Sequence, residues 1–154
     1  MFKKLVVSVG ISLTIAAMYV LWRGTPTVTT PEIAPNTVEA NKPALVTVTV
    51  RIQDPAFNVY GVDLVRVDAH AAVLSETEMI DEDGTNTDAG AGHRFFLRMR
   101  DDGTKGDAVA SDGVFTRRVL LKESSGPVYF EVHASFAKVE RPVRSAPLAV
   151  NVSQ

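Results

Sequence analysis

The sequence predicts an all-β protein, an antiparallel β-sandwich that follows a single N-terminal transmembrane helix. Three observations predict this architecture. Residues 5–22 form an apolar run without a charged side chain, and the chain from residue 44 onward repeatedly alternates apolar and polar side chains, as half-buried strands do. Gly, Pro, Asn and Asp separate these alternating segments. With 154 residues, 45% of them hydrophobic, the chain is long enough for one domain with a core.

The apolar run predicts a membrane anchor. It comprises eighteen residues, from Leu5 to Trp22, and a helix of this length extends about 27 Å, enough to cross the bilayer core. A cleaved signal peptide also has a basic start, but its apolar region is commonly about 7–15 residues long and ends in a small-x-small site. Tyr19 and Arg23 at the far end are instead typical of an interfacial anchor. We expect an uncleaved signal anchor at residues 1–23 in an inner or cytoplasmic membrane. The rest of the chain is then periplasmic or extracellular, and cleavage would make the protein secreted.

Residues 24–43 predict a stalk between the membrane and the domain. This segment holds four prolines, five threonines and few apolar residues. Such a composition favours an extended chain that cannot bury a core. We therefore expect the folded domain to occupy residues 44–154.

Six segments predict the strands of the sandwich. They are residues 44–52, 58–69, 93–100, 114–121, 127–139 and 146–153. The clearest is 127–139, whose even-numbered residues from 128 to 136 are all apolar. Gly61 in the second segment is a candidate for a β-bulge. Arg117 lies among the inward-facing residues of the fourth segment, and the alternation does not account for it. Residues 71–80 fit either a short helix or another strand.

Charge and composition exclude several function classes. The net charge is −2, and without the three basic residues that flank the apolar run, 13 basic residues stand against 18 acidic ones, a net charge of −5. A nucleic-acid partner is not expected, because phosphate binding needs clustered Lys and Arg. The chain has no cysteine, which excludes disulfides, thiolate metal sites and a Cys nucleophile.

The segment DDGTKGDAVASDG, residues 101–113, is the strongest candidate for a specific site, because four aspartates and three glycines lie within thirteen positions. A Ca²⁺ ion needs six to eight oxygen ligands. Asp101, Asp102, Asp107 and Asp112, together with loop carbonyls, have the chemistry to supply them. The spacing does not match the EF-hand pattern, since position 104 is Thr and no acid closes the loop.

The alternative hypothesis for this segment is that its aspartates form turns. The Asp-Gly pairs at 102–103 and 112–113 favour turns in which glycine has a positive φ, and Gly106 is a third turn position beside Gly103 and Gly113. Asp101 and Asp107 then accept hydrogen bonds from loop amides. We prefer this hypothesis, because aspartate is a common turn former and calcium cages are rarer. Calcium binding is the alternative.

Histidines and serines form no pattern typical of catalysis. His70, His93 and His133 lie in separate segments without H-E-x-x-H or H-x-x-x-H spacing, and no serine lies in a G-x-S-x-G motif. His133 is expected to be solvated on the outer face of its strand. The second acidic stretch, residues 81–88, is expected to be a flexible, solvated loop. An envelope hydrolase that uses His70 or His93 with loop carboxylates is a lesser alternative.

Several segments together resemble a known family. PALVTVTVRIQDP, GVDLVRVDA, LRMRDDGTKGDAVASDGVFT, VYFEVHASF and VRSAPLAVNV occur in this order. They resemble the bacterial extracellular immunoglobulin-like domains of choice-of-anchor X proteins over about residues 36–153. The most specific match is D-D-G-x-x-G-D-x-x-x-x-D-G-x-(F/Y), from Asp101 to Phe115. The resemblance implies an immunoglobulin-like β-sandwich, carried on a membrane or wall anchor and without catalytic activity. Residues 75–92 depart from it, because this connection is longer, and an individual function would be placed there.

These observations lead to one expected function with two alternatives. We expect a non-catalytic, membrane-anchored extracytoplasmic module that binds a protein partner or gives structural support at the bacterial cell envelope. The first alternative is a Ca²⁺-dependent adhesion or stabilising domain, and the second is the hydrolase. No cofactor is expected apart from calcium in the first alternative. The sequence does not indicate the residues that bind the partner, the pathway or the oligomeric state.

Overall fold

The computed structural model describes residues 25–54, 58–70, 80–81 and 96–154. This part of the chain contains eleven strands and no helix. The strands form two sheets that pack together as a β-sandwich, so the all-β prediction is confirmed. Among the described residues, no helix has the length and apolar character needed to span a membrane. The predicted anchor at residues 5–22 lies outside them.

The strands divide between two sheets. In chain order they are β1 (Thr27–Val28), β2 (Glu32–Ala34), β3 (Thr37–Glu39), β4 (Ala44–Gln53), β5 (Val59–Val67), β6 (Ile80–Asp81), β7 (Phe96–Arg98), β8 (Val114–Leu121), β9 (Val128–Phe136), β10 (Val143–Arg144) and β11 (Leu148–Ser153). In sheet one β1 and β2 both pair with β4, and β8 and β6 follow. Sheet two has the order β3, β11, β9, β5, β7, and β10 also pairs with β9. The described pairings are antiparallel except for β3 with β11, which is parallel.

The core lies between the two sheets and follows the alternation in the sequence. Val46, Val48 and Val50 of β4 are at most 2% exposed. From the opposite sheet, Phe130 and Phe136 of β9 are at most 1% exposed and are the largest of the fully buried side chains. Burying a side chain of this kind stabilises the fold by roughly 1.5–3 kcal/mol. The interior is therefore held mainly by aliphatic packing around two phenylalanines.

The strand predictions are confirmed where the structure describes the residues. Residues 114–121 form β8 without change, and 127–139 contain β9. The register between β5 and β9 shifts between Val59 and Gly61, so the β-bulge prediction is also confirmed. Residues 71–80 are predicted to form either a short helix or a strand. Ile80 begins β6, and residues 71–79 lie outside the described part.

The chain crosses from sheet two to sheet one immediately after β7. Met99 donates its amide to the Val62 carbonyl of sheet two at 2.8 Å. The next residue, Arg100, forms an isolated bridge with Thr116 of sheet one, with reciprocal amide-to-carbonyl distances of 2.9 and 2.7 Å. One long side of the sandwich is closed by this crossing.

The crossing also accounts for Arg117, which interrupts the apolar face of β8. Arg117 is 2% exposed, and its Nη1 donates to the carbonyl of Arg98, the last residue of β7, at 3.0 Å. The chain leaves sheet two just after Arg98, so the Arg98 carbonyl needs a hydrogen-bond donor from elsewhere. A buried polar group without a partner would lower the free energy of unfolding. A charged residue thus has a structural task within an otherwise apolar face.

The prediction that residues 24–43 form a stalk without a core is wrong for residues 27–39. β1 and β2 pair with β4, and β3 pairs with β11. Val38 is 4% exposed and belongs to the core, against which Val28 and Ile33 also pack. These three side chains lie five residues apart, with a proline between each and the next. The composition therefore has the character of a linker, but the folded domain begins near residue 27 and not at 44.

Candidate functional site

The aspartate loop, residues 101–113, leads from the crossing at Arg100 into β8. Its far end lies against β4, because the Ile52 amide donates to the Gly113 carbonyl at 2.9 Å. The Arg51 Nη1 donates to the neighbouring Asp112 carbonyl at 3.1 Å. The loop is thus attached to sheet one at both ends.

Asp101 closes the loop on itself. Its two carboxylate oxygens accept the amides of Asp112 at 3.0 Å and Gly113 at 3.1 Å. Its backbone carbonyl accepts the Ser111 amide at 3.1 Å. Hydrogen bonds from amides to an ionised carboxylate are stronger than those between neutral groups. This half-buried side chain therefore joins two parts of the loop that lie eleven and twelve residues apart.

Asp107 organises the other half of the loop. It is 7% exposed, and its Oδ2 accepts the Gly103 amide at 2.7 Å. The Asp107 amide in turn donates to the Thr104 carbonyl at 3.0 Å. The sharp path of the chain requires left-handed backbone at five positions: Gly103, Lys105, Gly106, Ser111 and Gly113, with φ of 72°, 48°, 95°, 62° and 79°. The three glycines at predicted turn positions all have the φ that an L side chain rarely adopts.

Three of the four candidate metal ligands come together. One carboxylate oxygen from each of Asp101, Asp107 and Asp112 lies within 4.8 Å of the others. These residues are half-buried, buried and exposed, so the cluster faces solvent on one side. Each carboxylate oxygen has two lone pairs. The amide bonds described above therefore leave acceptor capacity that a hard cation such as Ca²⁺ is able to use, together with loop carbonyls.

Asp102, the fourth candidate, lies outside this cluster. Its Oδ1 accepts the amide of Thr104 at 2.9 Å and the Thr104 hydroxyl at 2.5 Å. Its Oδ2 pairs with Arg100 at 3.2 Å. The hydrogen bond from the Thr104 hydroxyl is the main cause that lowers the pKa of Asp102 below its usual value, and the Thr104 amide and Arg100 add to it. This side chain caps a local turn at the start of the loop.

The outer face of sheet two holds a buried acid–base pair that the sequence did not reveal. Glu131 and His133 are 4% and 6% exposed, and His133 Nε2 lies 3.0 Å from Glu131 Oε2. Phe96 meets the imidazole edge to face at 6.1 Å. His133 is on the predicted face of its strand, but the expectation that it is solvated is wrong. β9 is buried on both faces, and the alternation of apolar and polar residues in its sequence predicts burial of one face only.

Asp63 lies directly across from His133 on the neighbouring strand. It pairs with Arg98 Nε at 2.9 Å. Desolvation by burial raises the pKa of Asp63, and the positive charge of Arg98 opposes this effect. Four ionisable side chains, those of Asp63, Arg98, Glu131 and His133, thus share the outer face of sheet two.

The residues proposed for a hydrolase are not brought together in the described part. His70 is exposed, and its backbone amide donates to Asp68 Oδ1 at 2.8 Å. His93 and most of the second acidic stretch lie outside the described residues, and of that stretch only the backbone of Asp81, in β6, is described. Comparison of the chain with protein-family models gives no match, and comparison with curated proteins gives none either.

Proposed function

We propose that the protein is a non-catalytic, membrane-anchored extracytoplasmic module with an immunoglobulin-like fold, which binds a protein partner at the bacterial cell envelope. The strand order supports the immunoglobulin-like part. Taken in chain order, β2, β4, β5, β6, β8, β9 and β11 correspond to strands A to G. One sheet then contains the order A-B-E-D and the other the order G-F-C, with β3 added beside G and β7 added beside C. The seven lettered strands follow the order of a constant-type immunoglobulin domain, and β3 and β7 are additions to it.

The observation that carries the binding proposal is an exposed apolar pair on the outer face of sheet one. Leu45 and Leu120 are 43% and 37% exposed, and they lie directly opposite each other on β4 and β8. Cross-strand partners on one face are close enough to act as a single patch. A rigid sheet that presents two adjacent leucines provides the kind of apolar centre around which protein interfaces form.

The experiment that tests this proposal is site-specific photocrosslinking in the cells that make the protein. A photoreactive phenylalanine analogue replaces Leu45 or Leu120, and in a control it replaces Val109, an isolated exposed apolar residue of the aspartate loop that is 57% exposed. We expect one discrete adduct from each leucine position and none from the control. Equal labelling at all three positions, or no adduct from the leucines, would contradict the proposal.

The anchor is tested separately, by fractionation of cells that produce the full chain with a C-terminal tag. We expect the tag in the membrane fraction and accessible to protease from outside the cytoplasm. A soluble protein with a new N-terminus near Gly24 would show cleavage, and the anchor would then be wrong.

A second candidate function is a calcium-stabilised domain, and the convergence of Asp101, Asp107 and Asp112 favours it. At a calcium concentration tenfold above Kd, binding to the folded state alone adds about 1.4 kcal/mol, which raises the Tm by roughly 5 °C. The measurement compares thermal unfolding in millimolar Ca²⁺ and in chelator. A shift that Asp107→Asn and Asp112→Asn abolish supports this function, and coincident curves remove it.

A further inference from the structure

A cavity of about 230 Å³ lies on the outer face of sheet one, where the edge of the sheet is interrupted. β1 and β2 pair with different parts of β4, and Thr29 and Thr30 lie between them. The Thr29 amide still donates to the Arg51 carbonyl at 3.1 Å, and the Arg51 amide donates to the Thr29 hydroxyl oxygen at 3.2 Å. The cavity therefore has walls that are fixed to the sheet.

Five of the seven residues that line this cavity are polar and carry one charge of each sign, and Val50 and Val114 complete the lining. Glu32 lies opposite Thr49 on β4, and Arg51 is two residues further along on the same face. Thr30 and Thr49 contribute hydroxyl groups, whereas the Thr29 hydroxyl already bonds to the backbone of Arg51 as donor and as acceptor. Within the described residues, no ion pair joins Glu32 to Arg51. Glu32 and Arg51 thus line one small cavity, and both side chains are exposed without an ion pair between them.

The guanidinium is held in place by the aspartate loop. Arg51 Nη1 donates to the Asp112 carbonyl at 3.1 Å, and Asp101 fixes this carbonyl by accepting the amides on either side of it, those of Asp112 and Gly113. Four N–H groups of Arg51 are left to a ligand, because a guanidinium carries five donors in a fixed fork. The closure of the aspartate loop therefore positions a binding group.

We infer that this cavity binds a free α-amino acid in its zwitterionic form. The ligand carboxylate pairs with Arg51 and the ligand ammonium with Glu32, both through charge-assisted hydrogen bonds, and the threonine hydroxyls complete the polar lining. The volume lies below the roughly 300–1,000 Å³ of pockets for drug-sized ligands, which suits a single amino acid. No aromatic ring is among the described lining residues, so the stacking platform typical of a sugar site is not provided. This inference does not depend on the proposed function.

The test is a titration of the full chain, labelled with ¹⁵N and kept in a non-ionic polyoxyethylene detergent, with L-alanine up to tens of millimolar. We expect saturable shifts of the backbone amides of Thr29, Thr30, Arg51 and Val114, which line the cavity. Propionate and ethylammonium each carry one of the two charges of alanine. We expect both to bind about 10- to 100-fold more weakly, the effect of losing a hydrogen-bonded charge.

Matched variants assign the binding to the two charged side chains. Glu32→Gln keeps the shape of its side chain, whereas Arg51→Gln removes the charge and also shortens the side chain. We expect each to weaken alanine binding by about 10- to 100-fold. The controls are Glu140→Gln and Arg141→Gln, at exposed positions in the turn after β9, where binding should not change. Glu32→Gln is the decisive variant, since Arg51 also contacts the aspartate loop.

Three outcomes would overturn the inference. The first is that alanine produces no saturable shifts at the cavity amides. The second is that propionate or ethylammonium binds as well as alanine, which would show that the site recognises a single charge. Glucose shifting the same amides more strongly than alanine would identify a sugar site instead.

Discussion

Replacing Asp101 tests whether the aspartate loop is held by its own side chains. Asp101→Ala removes two amide-to-carboxylate hydrogen bonds, of 3.0 and 3.1 Å, and each such bond to a charged group contributes about 1.5–3 kcal/mol. Because Asp101 is half-buried, and because removing it relieves repulsion from Asp107 and Asp112, we expect a total loss of about 2–4 kcal/mol. The Tm should fall by roughly 8–15 °C. Asp101→Asn, which keeps one acceptor oxygen, should lose about half as much.

The assays are denaturant unfolding, for the free energy, and thermal unfolding, for the Tm, of residues 25–154 in chelator, which removes any contribution from bound metal. Asp102→Ala is the control, because Asp102 bonds only within an exposed local turn and to Arg100. We expect a clearly smaller loss for this variant. A neutral or stabilising Asp101→Ala would refute the reasoning. A loss that appears only in calcium would show that the carboxylate serves a metal and not the amides.

Three further predictions concern the fold. Gly106→Ala should cost about 1–2 kcal/mol more than Gly126→Ala in chemical denaturation: both positions have positive φ, but a Cβ at 106 meets Arg118, whereas one at 126 meets nothing within 4 Å. The pKa of Asp63 is higher in the folded state than in the unfolded state. Its contribution to stability is therefore present below the unfolded pKa and is lost as pH rises through the folded pKa. The free energy of unfolding of wild type, relative to that of Asp63→Asn, should fall from about pH 3 upward. Phe130→Ala should cost about 3–5 kcal/mol by calorimetry.

The long strands were predictable because each alternates over eight or more residues, and one face of each is buried. The predicted and observed bounds of β8 coincide, although Arg117 interrupts its alternation. The N-terminal strands were not predictable in this way. Val28, Ile33 and Val38 are isolated apolar residues between prolines, and they join the core only because β4 and β11 are already present to pair with them.

The candidate site was predictable only in part, because its local turns depend on nearby residues whereas its longer contacts depend on the folded chain. The density of aspartate and glycine indicates a tightly turned loop, and the left-handed glycines agree with it. Spacing alone does not show that Asp102 turns toward Thr104 while Asp107, five residues later, turns into the loop. The buried Glu131 and His133 pair depends on what covers the outer face of sheet two, which a strand's own alternation does not encode.

The parallel pairing of β3 with β11 has a mechanical consequence. The chain enters β3 at its N-terminal end and leaves β11 at its C-terminal end, so tension between the two chain ends pulls these strands in opposite directions along their length. The flanking hydrogen bonds, from the Ala40 amide to Ser153 at 2.8 Å and from the Asn151 amide to Asn36 at 2.9 Å, then carry the load together. We expect the short antiparallel pairings of β1 and β2 with β4 to separate first, after which the parallel contact between β3 and β11 resists further extension by shear.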